Sequence, residues 1–462
     1  MWAVVSSTIR VGDPSPDLIA YCEKELTLAN PDYIKKQRMG LWLGKTPKTI
    51  RLYETDGAEL ILPHGCLPVI AEMTSAILYD YAANDPVDYK GDVELYDYQR
   101  DAVNTLLMTG NGILQSPAGS GKTQMGIALI AALSGKALWV THTKDLLRQS
   151  KERAEQYIDP SLIGTITEGQ VKIGSGVTFA TVQTLANIDL QRYRNTWDVI
   201  IVDECHRVSG SPTKVTQFSK VLNSLSARHK FGLSATVHRS DGLVKATHAL
   251  LGPIVYSVPA EAVSSRVMSV SIQPRLTGIR ESLECLNTDG TINYAGLIAY
   301  LAHSYPRDLI IVKDLFANRE HSCLILSDRL TQLQGLIDML PWYLREKAVM
   351  ISGTMRNKAD KVLRDEAIND MRSGKKKYLF ATYSLAKEGL DIPCLDRLFL
   401  VTPHHDYAVI TQSIGRIARR CEGKDSAIAY DYIDAIPFCI NNYKKRKTTY
   451  RKNGCVFLRE TS

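Results

Sequence analysis

The sequence has no long apolar run. Nowhere in its 462 residues do the roughly 18 consecutive apolar side chains of a membrane-crossing helix occur. The opening stretch, MWAVVSSTIRVGDPSPD, lacks the apolar core of a signal peptide, which argues against secretion. Paired cysteines are missing too. Nine cysteines are scattered singly from Cys22 to Cys455 with no C-x-x-C among them, the pattern of reduced thiols rather than of a disulfide frame or a four-cysteine metal site. No solenoid repeat and no low-complexity tract is visible. A strong charge excess is absent as well: 56 Lys and Arg stand against 49 Asp and Glu, and the net +7 permits a polyanionic partner without requiring one. With 45% hydrophobic and 23% charged residues the composition is that of a globular protein, which excludes wholesale disorder and fibrous architectures. At about 150 residues per domain, the length suggests about three domains.

What is present is a regular alternation. From Tyr98 to about Ile433, short apolar runs rich in β-branched residues alternate with stretches of helical period. The runs include ALWVT (Ala137–Thr141), VTFAT (Val177–Thr181), DVIIVD (Asp198–Asp203), FGLSAT (Phe231–Thr236), CLILS (Cys323–Ser327), YLFATY (Tyr378–Tyr383) and RLFLVT (Arg397–Thr402). Such alternation predicts βαβ units, and uninterrupted apolar strands predict parallel sheets covered on both faces. It falls into two blocks joined by a mixed segment, VPAEAVSSRVMSVSIQPRLTG. The fold class expected is therefore α/β: two tandem parallel-sheet domains at 93–262 and 263–440. A small N-terminal α+β domain at 1–92 precedes them and a basic tail at 441–462 follows. In the N-terminal part, Asp56-Gly57 between alternating runs predicts a hairpin.

The strongest local signal is ILQSPAGSGKT (Ile113–Thr123), an apolar strand, a Gly-rich turn, Lys-Thr and then a helix. This is the context of a phosphate-binding loop. Backbone N–H groups of Gly119, Ser120, Gly121 and Lys122 can converge on phosphate oxygens at a helix N-terminus. Lys122 would reach the β- and γ-phosphates of ATP and the Thr123 hydroxyl would ligate Mg²⁺. Ser116 stands where the strict pattern has Gly. The second signal is VIIVDECH (Val199–His206). Two adjacent acids ending a buried strand are costly without a cation. Asp203 is placed to hold Mg²⁺, and Glu204 to orient and deprotonate the attacking water. His206 is either a metal ligand or a link from the nucleotide site to neighbouring polar groups, and Cys205 a buried spacer.

Lys122, Asp203-Glu204-Cys205-His206, Ser234-Ala235-Thr236 and Gln412-x-x-Gly415-Arg416-x-x-Arg419 occur in this order. Together they resemble a superfamily 2 DExH helicase of the XPB-like group, which has phage and poxvirus members. The resemblance covers about Leu95 to Ile433, implies that both parallel-sheet domains are RecA-like, and implies further roles. Gln99 in LYDYQRDAV would read the adenine edge, with Tyr96 or Tyr98 packed on the base. With Ser116 and the loop residues above, Gly389 and Asp391 in ATYSLAKEGLDIP would face the nucleotide. Thr143 and Arg148 in HTKDLLRQS, Thr184 in TVQTL, Arg239 in SATVHRSDG, Arg329 in LILSDRL, and Thr382 and Ser384 would face DNA. Val237 stands where the family has Pro, and Ser240 where an Arg-Glu-Asp element has Glu. His206, Ser234 and Thr236 would couple hydrolysis to domain movement. In QSIGRIARR, Gln412, Arg416 and Arg419 are spaced to share one helix face, and the arginines would stabilise charge on the γ-phosphate.

The implied activity is ATP-dependent unwinding or branch migration on forked or branched DNA, with 3′–5′ polarity. The cofactors are ATP and Mg²⁺. The protein would act as a monomer in the cytoplasm, that of the host for a phage or viral member. An iron–sulfur insertion of the XPD kind is excluded because no cysteine lies between Lys122 and Asp203. An RNA-remodelling DExH protein and an ATP-gated DNA clamp are the competing readings. Two cationic segments mix with aromatics. Lys35–Tyr53 suits either duplex or junction binding or a docking role, and Tyr443–Lys452 either phosphate contacts or a solvated terminus.

Overall fold

The structure is a computed structural model. It describes the chain apart from residues 92, 118, 168, 210, 236–242, 260, 264–266, 283–284, 288–290, 353–357, 388–391, 405 and 460–462. Two compact units result: Met1–Pro117 with Gly121–Pro259, and Ala260–Ser462 together with Ala118–Ser120.

In the first unit, eight strands form one sheet. Their order is Gln170–Lys172, Ile163–Thr167, Val177–Thr181, Ala137–Thr141, Val199–Asp203, His229–Ser234, Gly112–Gln115 and Ile254–Ser257. Only the outermost pair, 163–167 with 170–172, is antiparallel. The central strands are buried end to end, as their unbroken apolar runs require.

The N-terminal residues form a second, five-stranded sheet in the order Glu54–Asp56, Glu59–Pro63, Thr8–Gly12, Trp2–Val5 and Ile77–Tyr79. Asp56 pairs with Glu59 across the expected Asp-Gly hairpin. This sheet is not an independent body. Its core residues Val5, Leu18 and Leu62 pack in one cluster with Val215, Leu243, Ala246 and Ala249 of the motor sheet's helices. Gly65 lies so close to the backbone of His248 and Gly252 that a Cβ there would collide with it. The domain expected at 1–92 therefore shares a core with the block that follows. Buried Lys230 adds a polar tie, donating to the carbonyls of Ser7 (2.8 Å) and Leu222 (2.7 Å).

The second unit is built on a seven-stranded, wholly parallel sheet. Its order is Ala348–Ile351, Tyr378–Thr382, Cys323–Ser327, Arg397–Leu400, Ala427–Ile433, Val270–Leu276 and Val456–Phe457. Val270–Leu276 lies in the segment expected to be a linker. Pro274 is tolerated there because the edge strand beside it pairs only with Ser271 and Ile272, so no neighbour on that side needs an N–H from Pro274.

The basic tail is likewise structured. The boundary drawn at 440 falls inside the helix Pro437–Lys452. Arg446 is buried and grips Asp431 through two hydrogen bonds (2.9 and 2.7 Å), and the Tyr450 hydroxyl donates to the same carboxylate at 2.6 Å. Phosphate contact is thus not available to Arg446. Lys444, Lys445, Arg451 and Lys452 stay exposed.

Candidate ATP site and nucleic-acid groove

Most candidate site residues of the first unit lie where parallel strands end. Gln115, Thr141, Thr181, Asp203 and Ser234 are the last residues of their strands, at the carboxyl edge where open α/β sheets bind ligands. The strand Gly112–Gln115 runs into the Gly-rich turn, and the helix Lys122–Leu133 starts directly after Gly121. Gly119 and Gly121 both have φ of +83°, a conformation that favours glycine. A side chain at Gly121 would also run into the Gln99 amide. Gln99 is buried, and its Oε1 accepts from the Tyr96 backbone N–H at 3.0 Å, a bond that caps the helix start within the segment expected to read adenine. The rings of Tyr96 and Tyr98 stack with centroids 6.1 Å apart; Tyr96 is exposed and Tyr98 is buried. Lys122 Nζ spans the turn, donating to the carbonyls of Ser116 (3.2 Å) and Pro117 (3.4 Å).

Glu204 follows the strand in the left-handed region at φ 50°, a conformation costly for a non-glycine residue and characteristic of functional turns. Asp203 is anchored on both oxygens, accepting from the Ser150 hydroxyl (3.0 Å) and the Glu204 N–H (2.9 Å). Burial, with the Glu204 charge beside it, pushes the Asp203 carboxyl up to about 6. Burial acts on Glu204 in the same sense, but Lys122 and then His206 outweigh it and hold Glu204 below the usual carboxylate range. One Glu204 oxygen, Oε2, is buried with no aligned hydrogen bond among the described residues and lies 3.2 Å from His206 Nδ1. A buried carboxylate with a spare acceptor, next to an anchored acid and a lysine over a phosphate-type turn, suits a water, a cation and a polyphosphate. Asp203, with Thr123, could hold Mg²⁺.

His206 Nδ1 also lies 2.9 Å from the Ser234 hydroxyl, and the Ser116 N–H donates to the Ser234 carbonyl at 2.9 Å. Through His206 the loop, the acid pair and Ser234 are joined in one chain of polar contacts. Cys205 packs beneath, against Gly232, as a spacer.

A cavity of about 530 Å³ opens at the same edge, lined by His142, Thr143, Lys144, Thr181, Gln183 and Thr184 among others. Thr143 caps the helix Lys144–Ala154 and Thr181 caps Val182–Ala186. The Thr181 and Thr184 hydroxyls lie 2.9 Å apart, and the Gln183 amide donates to the His142 carbonyl at 3.1 Å. Thr143 and Thr184 are thereby brought together. Arg148 is not among the lining residues; it sits on the exposed face of its helix, 4.0 Å from Glu152.

In the second unit, Ser327 and Thr382 are paired strand ends. Arg329 follows the first and is exposed. Ser384 follows the second, with its hydroxyl 2.9 Å from that of Thr382. Gln412 is buried and Arg416 partly buried on the helix Tyr407–Ile417. The shared helix face expected for Arg419 does not exist. The helix ends at Ile417, and Arg419 lies in an isolated antiparallel bridge with Val267. Backbone pairing at that point replaces the next helical turn. Thr236, Arg239, Gly389 and Asp391 lie outside the described residues.

Two family models match the chain. The res subunit of type III restriction enzymes matches residues 92–239, and the helicase conserved C-terminal domain matches residues 307–421. The chain is 26% identical over 362 residues to the DNA 3′-5′ translocase XPB2 of Sulfurisphaera tokodaii, spanning 72% of this chain and 80% of that one. It is 25% identical over 345 residues to the probable helicase D10 of Escherichia phage T5, spanning 74% and 72%. Yeast Dbp5 bound to RNA and ADP BeF3 shares the fold, with a TM-score of 0.55 at 17% identity over 86% of this chain and 94% of that one.

The chain belongs to the superfamily 2 helicases, in the XPB-like group.

Sequence reasoning overlooked three side chains of this helicase. Ser150 orients Asp203, and its only signal was its place on the buried stripe Leu147, Ser150 and Ala154. Gln183 joins the two threonine motifs. Lys424 is half-buried and donates to the carbonyls of Leu395 (2.6 Å), Ile417 (2.5 Å) and Arg419 (2.7 Å), pinning the segment that carries the arginines. Burial lowers its pKa to about 8. No helix among the described residues is long and apolar enough to cross a membrane.

Proposed function

We propose that the protein is an ATP-driven DNA translocase that unwinds or migrates forked or branched DNA with 3′–5′ polarity, acting as a monomer. The observation that carries this reading is the polar chain from Lys122 through Ser116 and Ser234 to His206 and Glu204. It ends at the sheet edge that also holds the Thr143–Thr184 cavity. Glu204, held ionised, takes a proton from water as its oxygen bonds to the γ-phosphorus and the bridging bond to ADP breaks. Lys122 and the N–H groups of the turn hold the phosphates. Mg²⁺ held by Asp203 and Thr123 would supply charge neutralisation at the phosphates. Gln412, Arg416 and Arg419 serve the developing charge, Gln99 selects adenine, and Gly389 and Asp391 complete the nucleotide contacts. Thr143, Thr184, Arg148, Arg239, Arg329, Thr382 and Ser384 grip backbone phosphates, a task for hydroxyls and cations that carries no sequence preference. His206, Ser234 and Thr236 transmit the state of the γ-phosphate.

The DNA reading draws on a relative named a DNA 3′-5′ translocase, and the RNA alternative on one named a putative ATP-dependent RNA helicase. The test is an ATPase and strand-displacement panel over single-stranded, forked and four-way DNA and over RNA, at stated salt. Stimulation by DNA with displacement of forked strands supports the reading. Stimulation by RNA alone overturns it, and stimulation by DNA without displacement leaves a clamp.

A further inference from the structure

Between the helix Pro31–Arg38 and the strand Thr49–Arg51 the chain makes a short excursion. Its base is fastened. The Asn30 N–H donates to the Lys48 carbonyl (3.1 Å), the Asn30 amide to the Pro47 carbonyl (2.8 Å), and Lys36 Nζ to the Thr46 hydroxyl (2.7 Å). Within it, the Leu41 N–H donates to the Lys36 carbonyl and the Thr46 N–H to the Leu43 carbonyl, each at 2.9 Å. Gly40 and Gly44 take φ of +61° and +50°. The tip so held is apolar: Met39, Leu41 and Trp42 are exposed, Trp42 to 89%. A large aromatic kept in water on a braced turn signals a partner.

The surroundings indicate its chemistry. From Lys35 to Arg51 there are six cations, Lys35, Lys36, Arg38, Lys45, Lys48 and Arg51, and no acid. All but Lys36 are exposed. An aromatic face ringed by cations complements a base flanked by phosphates. A membrane-surface device would need an extended apolar helix face, and the helix leading in, PDYIKKQR, buries no residue and has no apolar stripe.

We propose that Met39–Gly44 is a base-stacking site. The Trp42 indole packs on an unpaired base where single-stranded and duplex nucleic acid meet, and Lys35, Arg38, Lys45 and Lys48 take the adjoining phosphates. This inference rests on the nucleic-acid motor reading above.

The test uses the full chain with forked DNA carrying 2-aminopurine at its first unpaired position, single-stranded DNA, blunt duplex, and vesicles of phosphatidylserine in phosphatidylcholine. Stacking on one base predicts that Trp42→Ala weakens fork binding about 5- to 100-fold. Trp42→Phe retains most of the affinity, duplex binding is unchanged, and 2-aminopurine emission is quenched by the parent chain but not by Trp42→Ala. Unchanged fork affinity in Trp42→Ala, with ATPase still stimulated by DNA, overturns the stacking site alone. Vesicle binding that depends on Trp42, with DNA binding indifferent to it, also overturns the site. A parent chain whose ATPase no DNA stimulates overturns both this inference and the motor reading.

Discussion

Lys230 offers a quantitative test of how the N-terminal sheet is joined to the motor. Its amine is fully buried between the Ser7 and Leu222 carbonyls, and burial alone lowers its pKa from 10.5 to about 7. At ~1.36 kcal/mol per pH unit, that difference disfavours the charged form by about 5 kcal/mol. Below about pH 7 both folded and unfolded chains hold the proton, and the full penalty weighs on the fold. Between about pH 7 and 10.5 the unfolded chain holds the proton and the folded chain has released it, so unfolding takes up a proton and stability rises with pH. Lys230→Met removes the penalty but strands two carbonyls, at about 1–3 kcal/mol each. At pH 7 the two effects offset to within a few kcal/mol. By pH 9.5 the parent's penalty has fallen by about 3 kcal/mol, so the variant should lose about that much ground. Urea unfolding followed by tryptophan fluorescence measures this in the intact protein. Of the five tryptophans, Trp139 and Trp197 of the first unit are buried, whereas Trp42 and Trp342 are exposed and change little. A stability difference that stays constant within about 1 kcal/mol from pH 7 to 9.5 would refute the reasoning.

Three functional predictions follow from the site. Glu204→Gln keeps ATP binding, read by a fluorescent nucleotide, and lowers turnover by about 10²–10⁴ as expected on losing a general base; turnover at the parent rate removes Glu204 from that role. His206→Ala cuts the link between Glu204 and Ser234, so basal hydrolysis stays within a few-fold while stimulation by DNA falls about 10-fold, on the scale of a lost coupling free energy of 1–2 kcal/mol. Intact stimulation would show that coupling runs elsewhere. Lys424→Met leaves three carbonyls around the arginine segment without their donor, and should lower kcat about 10- to 100-fold with little change in KM for ATP. Lys424→Arg should restore part of the rate, and an equal loss from both variants would argue against a positioning role.

The legible parts of this protein are those where local chemistry admits one solution. Two glycines at φ +83° before Lys-Thr, and two acids after four buried apolar residues, are patterns few other structures need. All seven apolar runs read from the sequence contribute to parallel strands of the two motor sheets. What escaped depended on partners remote in sequence. Nothing near Arg446 announces Asp431, so a run of cations read as a tail becomes a helix closed around one buried ion pair. The same holds for Arg419, which helical spacing put on a face with Gln412 and Arg416. Its segment is set instead by pairing with Val267, far upstream in the sequence, and by Lys424 just downstream.

The N-terminal sheet shows the same limit in another form. Its strands could be drawn from the Asp-Gly turn and the alternation around it, yet only Val215, Leu243, Ala246 and Ala249 reveal that its core is shared with the motor's helices. A sheet fixed in this way on the first motor sheet's helices cannot be a loosely tethered adaptor. Any base held at Trp42 is then positioned by the same compact unit that carries Lys122, Glu204 and the Thr143–Thr184 cavity. The spacing between junction contact and strand contact is thereby fixed within one body, so a ligand engaging both sites binds with no linker entropy to overcome.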